Sequence, residues 1–75
     1  MQTRKVGWLG TCIIDALEET QKWFTPKEVT NLLESRGTPR AINYERVKHY
    51  LRRLSLSNRI QGEGDGIYAA LGVKR

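Results

Sequence analysis

Apolar residues in the first part of the chain recur at helical spacing. Leu9, Ile13, Ala16, Leu17 and Thr20 fall at i, i+4, i+7, i+8 and i+11, which predicts a helix over about 8–22 with one core-facing side. Cys12 and Trp23 flank that side, while Asp15, Glu18, Glu19 and Lys22 fall away from it. The next element carries a sharper start signal. Thr25-Pro26-Lys27-Glu28 reads as a capping box, with Pro26 at the first helical position, where no N–H is needed. Phe24 before the cap and Val29 after it can form a hydrophobic staple, with Val29, Leu32 and Leu33 as the core face and Gly37 as the stop.

Residues 38–42 read as a connector in which Thr38-Pro39 could start a turn of helix. Asn43 is the next cap, and Ile42 and Val47 repeat the staple pattern. A third helix then runs from Tyr44 to about Leu56, with Val47, Tyr50, Leu51 and Leu54 on its buried side. Ser57-Asn58 ends it, and Asn58 can take the left-handed conformation. Residues 59–62 and 67–71 read as two short strands about a Glu63-Gly64-Asp65-Gly66 turn, with Ile60 and Tyr68 closing the sheet over the helices. Two strands alone are marginal, so they must pack on the helical core.

Charge changes this picture most. The net charge is +5. Up to residue 39, Arg4, Lys5, Lys22, Lys27 and Arg36 balance Asp15, Glu18, Glu19, Glu28 and Glu34. After residue 59, Lys74 and Arg75 balance Glu63 and Asp65. The whole excess lies between, where Arg40, Arg46, Lys48, Arg52, Arg53 and Arg59 face only Glu45. On a helical projection Glu45, His49 and Arg52 lie opposite the apolar stripe, flanked by Lys48 and Arg53. A neutral scaffold carrying one basic helix face is the electrostatic footprint of a nucleic-acid reader.

The remaining composition narrows the classes. At 75 residues the chain forms one domain that buries roughly 60–65% of its unfolded surface. The core is expected over about 9–71, with flexible ends at 1–6 and 73–75. The lone Cys12 cannot form an internal disulfide; its apolar neighbours predict a buried, inert thiol, with an intermolecular disulfide or a reactive thiol as the alternative. One cysteine and one histidine cannot make a zinc finger, and no cofactor or metal is expected. No apolar run approaches the ~18–20 residues that span a bilayer, and the start of the chain is too broken by glycine and acid for a secretion signal, so no membrane association and a cytoplasmic location are expected. The Gly-Glu-Gly-Asp-Gly run lacks the Lys-Ser/Thr pair of a phosphate loop. No motif places a nucleophile or carboxylate beside His49, so no catalytic residue and no enzyme activity are expected.

The order helix, helix, basic helix, Gly-rich hairpin resembles a winged helix-turn-helix domain. The resemblance rests on TPKEVTNLLESRG, INYERVKHYLRRL and NRIQGEGDGIYAAL, and covers nearly the whole chain, from about residue 9 to 71. The connector at 37–42 is similar to the looser turns of several bacterial repressor families. The resemblance implies an α+β fold, a three-helix winged helix-turn-helix with a C-terminal two-stranded β-hairpin wing. It also implies double-stranded DNA binding with the third helix in the major groove, as in a small transcriptional regulator. Carried over by position, Asn43, Tyr44, Glu45, Lys48 and His49 would reach base edges, and Arg52 and Arg53 would lie nearer phosphates. Arg40 and Arg59, at either end of the basic stretch, complete the candidate DNA-binding set.

Several of these residues have a second reading. Tyr44 could equally cover the helix start, and Glu45 serves as a favourable charge in the first helical turn. Tyr50 is expected in the core, as are Trp23 and Phe24, while Trp8 could be core or an exposed interaction residue. Arg46 points towards the flank of Tyr50 and is the weakest DNA candidate among the helix cations. The chain departs from winged-helix habit at the wing tip, where Glu63 and Asp65 stand in place of Arg or Lys. Acids there repel phosphate, which leaves the wing structural or limits its contact to Arg59 and Gln61. A homodimer on a two-fold site would supply the base pairs a lone winged helix lacks. The acidic tip also keeps a protein-interaction module within a larger assembly in view, and RNA binding by the same basic face is a further alternative.

Overall fold

Why the chain turns after its first helix is visible in the backbone at Gln21. The structure, a computed structural model that describes residues 7–64 and 66–74, has α1 at Gly7–Thr20, α2 at Pro26–Arg36, α3 at Tyr44–Leu56, β1 at Ile60–Glu63 and β2 at Ile67–Ala70. The apolar periodicity alone carries the first helix on to about residue 22. Instead Gln21 takes the left-handed region, with φ 55°. Its N–H closes on the Leu17 carbonyl at 2.9 Å and its side chain donates to the Glu18 carbonyl at 2.9 Å. A non-glycine residue tolerates this conformation at a cost, and the return is a chain that doubles back towards α2.

The start of α2 follows the sequence signal. The Thr25 hydroxyl accepts the Glu28 N–H and the Glu28 carboxylate accepts the Thr25 N–H, with Pro26 at the first turn. Gly37, at φ 87°, ends the helix and donates to the Leu33 carbonyl. The buried face is Val29, Thr30 and Leu33, with Leu32 half-buried. Thr30 is admitted because its hydroxyl donates to the Pro26 carbonyl at 2.9 Å. No helical turn forms at Thr38-Pro39; the Thr38 hydroxyl donates to the Arg40 carbonyl instead, holding the connector in a bend.

The core is one cluster drawn from every element. Leu9, Ile13 and Leu17 of α1 meet Val29 and Leu33 of α2 and Val47, Leu51 and Leu54 of α3, with Ile60 and Ala70 closing it from the sheet. Each fully buried leucine or valine contributes on the order of 1.5–3 kcal/mol relative to exposure. Tyr50 is half-buried against this cluster, as are Trp8 and Phe24. Trp23 is half-buried and donates its indole N–H to the Lys74 carbonyl at 3.2 Å. Cys12 is half-buried rather than buried, and lines a small recess with Asp15, Leu33, Arg36 and Gly37.

β1 and β2 pair antiparallel, Ile60 opposite Ala70 and Glu63 opposite Ile67. The strands are therefore Ile60–Glu63 and Ile67–Ala70, shifted by one residue at the first and shortened by one at the second relative to the sequence pattern. Phe24 adds a pairing the pattern does not signal, an isolated antiparallel bridge to Tyr68 on the free edge of β2. Residues beyond β2 are held as well: the Gln61 side chain donates to the Ala70 and Val73 carbonyls at 2.8 Å each. Val73 and Lys74, within the stretch 73–75 expected as a flexible end, both accept hydrogen bonds through their carbonyls, from Gln61 and Trp23. Asp65 of the hairpin tip, the end at 1–6 and Arg75 lie outside the described residues. Among the described residues, no helix is long and apolar enough to cross a membrane.

Candidate nucleic-acid interface

α3 is fixed at both ends by its own sequence. Asn43 caps it, its side-chain oxygen accepting the Arg46 N–H at 2.8 Å. At the other end Asn58 sits at φ 62° and donates to the Ser55 carbonyl, while the Arg59 N–H reaches the Leu54 carbonyl at 2.9 Å. Together these bonds form a Schellman motif. Val47 and Leu51 are completely buried and Leu54 nearly so, so the rotation of the helix about its axis is set by the core.

That rotation leaves Glu45, Arg46, Lys48, His49, Arg52 and Arg53 exposed. Glu45, His49 and Arg52 point away from the core, with Lys48 on the flank towards the hairpin and Arg46 and Arg53 on the other. Tyr44 is 41% exposed, and the Lys48 ammonium lies 5.8 Å from the centre of its ring, a cation–π distance. His49 meets the edge of Tyr50 with ring centres 6.5 Å apart. The candidates that share the surface of α3 are therefore Tyr44, Lys48, His49, Arg52 and Arg53. Asn43 is adjacent, but its oxygen is engaged as the cap, leaving its amide nitrogen as the group that could reach a ligand. Arg40 lies in the exposed connector before α3, and Arg59 is exposed just after it.

The hairpin lies beside α3 and defines a groove of about 360 Å³. Lys48, Arg52 and Ser55 form its helix wall; Gly62, Glu63 and Gly64 form its hairpin wall. The spacing of the two walls is set at Gly62, where a Cβ would stand 2.6 Å from the Ser55 hydroxyl and 3.0 Å from the Tyr68 ring. Sequence reasoning did not find Ser55 or Gly62 as parts of the site, nor Leu56, which is 77% exposed at the end of the same helix. A helical projection places Leu56 beside His49 and Arg52, which was the available signal for it.

Comparison with protein-family models, with curated proteins and with solved structures finds no match to this chain. Its chemistry is therefore read from the surface itself. Exposed guanidinium and ammonium groups on one rigid helix offer hydrogen-bond donors to phosphate and to acceptor-bearing base edges. Away from this surface, Arg36 pairs with Glu19 across α2 and α1, and that bond raises the guanidinium pKa above its ordinary value.

Proposed function

We propose that this chain is a winged helix-turn-helix module that binds double-stranded DNA, with α3 in the major groove, acting as a small transcriptional regulator. The observation that carries this reading is the concentration of the whole net charge of +5 on and beside α3, with its cations exposed on a helix whose orientation the core fixes. Basic side chains on a rigid helix supply the salt-dependent phosphate term and the donors for base edges. Lys48 and the Asn43 amide are assigned to bases, Arg52 and Arg53 to phosphates, with Tyr44, His49, Arg40 and Arg59 completing the interface. A cytoplasmic, nucleoid-associated location and a homodimer on a two-fold site go with this reading.

The test is binding of the purified protein to random-sequence duplex DNA by fluorescence anisotropy at low and near-physiological salt. Binding that weakens steeply with salt is expected. No binding at low salt sinks the proposal. A second reading, a protein-interaction module, is favoured by the exposed Leu56 and by Glu63 in the groove wall. It requires salt-insensitive capture of a protein partner and no duplex binding. Equal competition by duplex RNA would instead point to the RNA alternative, since the narrow A-form major groove does not admit a helix.

A further inference from the structure

Tyr44 and Lys48 stand about one turn apart on α3, both exposed, and the Lys48 ammonium lies 5.8 Å from the centre of the Tyr44 ring. Side chains on a helix lean towards its N-terminus, so the stem of Lys48 runs back over the first turn to reach the ring. Tyr44 is itself placed by the cap, since Asn43 accepts the Arg46 N–H and makes Tyr44 the first residue of the helix. Among the described residues Lys48 forms no ion pair, so the ring is the contact that limits where its ammonium goes. A lysine without such a contact has a large rotamer entropy, and its point charge serves phosphates and base edges alike.

We infer that Tyr44 is a positioning residue for sequence preference. Its ring holds the Lys48 ammonium over the first turn of α3, the part of a recognition helix that meets base edges, and away from phosphates. The acceptors it would serve there are those of a guanine edge, O6 and N7. Tyr44 acts through its ring face and Lys48; its hydroxyl has no part in the effect. This inference rests on the DNA-binding reading above and adds to it how one cation of the face discriminates among duplexes.

The experiment first selects a preferred duplex from a random pool with the parent protein. Anisotropy then gives the affinity ratio between that duplex and a scrambled one for the parent, Tyr44→Phe, Tyr44→Leu, Lys48→Ala and Tyr44→Leu/Lys48→Ala, with thermal melting to check folding. NMR of the free proteins reads the Lys48 ε-methylene, which the ring current shifts upfield when the ammonium sits over the ring. Tyr44→Leu is expected to lose the upfield shift and about twofold to fivefold of the preference, the range of an exposed cation–π contact. Tyr44→Phe, which keeps the ring, should retain both. In the Lys48→Ala background Tyr44→Leu should take away no further preference. Equal losses in the Phe and Leu variants would overturn the inference, because the hydroxyl would then be the group that matters. An undiminished effect of Tyr44→Leu without Lys48, or the absence of the upfield shift in the parent, would overturn it as well. A parent that binds every duplex equally would overturn it and leave DNA binding standing. Absence of duplex binding by the parent at low salt would remove the DNA reading and this inference together.

Discussion

Phe24 and Tyr68 exchange both of their backbone hydrogen bonds, the Phe24 N–H reaching the Tyr68 carbonyl at 2.9 Å and the Tyr68 N–H reaching the Phe24 carbonyl at 2.8 Å. Tyr68 also pairs with Gly62 across the hairpin, so it is held from both sides. A two-stranded hairpin is marginal by itself. The bridge ties this one to the segment between α1 and α2, and so fixes where the hairpin stands relative to α3.

Removing the donor at that bridge should loosen the hairpin. Phe24→Pro abolishes the N–H and is expected to cost about 3 kcal/mol or more in urea unfolding. Phe24→Leu keeps the backbone bonds and the apolar bulk, and should cost under about 1.5 kcal/mol. Equal losses in the two variants would show that the ring, and not the bridge, carries the stabilisation.

Close packing at Gly62 makes a second test. Gly62→Ala places a methyl against the Ser55 hydroxyl and the Tyr68 ring, and overpacking of this kind costs about 1–3 kcal/mol. Ser55→Ala in the same chain removes the nearer contact and should recover part of the loss. A double variant no more stable than Gly62→Ala alone would place the whole cost at Tyr68.

Asn43 serves two roles that substitution can separate. Asn43→Ala removes the cap on α3 and is expected to lower stability by about 0.5–2 kcal/mol, read by thermal melting. Asn43→Ser keeps a capping oxygen and should melt close to the parent while changing the preference among duplex sequences, as measured by selection from a random pool. An unchanged preference in the Ser variant would confine Asn43 to capping.

Arg52 is expected to act through phosphate. Arg52→Ala should weaken binding to all duplex sequences alike and reduce the salt slope by about one. Lys48→Ala should alter sequence preference more than the slope. Arg52→Ala binding as tightly as the parent across salt would discard the proposed face.

The parts of this protein legible in the sequence are those made by neighbours along the chain. The Thr25–Glu28 capping box, the Asn43 cap, the left-handed Asn58 and the buried stripe of α3 all depend on groups within a few residues of one another. Local spacing specifies such contacts, and the segregation of charge is likewise a property of order along the chain. The early end of α1 at Gln21 was not legible, because the apolar pattern continues and glutamine carries no stop signal. Nor was the partial exposure of Cys12, which depends on how closely α2 approaches α1. Tertiary structure alone decided the Phe24–Tyr68 bridge, the approach of Gly62 to Ser55 and the placing of Glu63 in the same groove as Lys48 and Arg52. Each brings together residues from different elements, and a single bridge or one close contact leaves no periodicity to read. The sequence by itself determined which helix would be basic and which side of it would be buried; only packing of the hairpin on that helix decided what the exposed cations face.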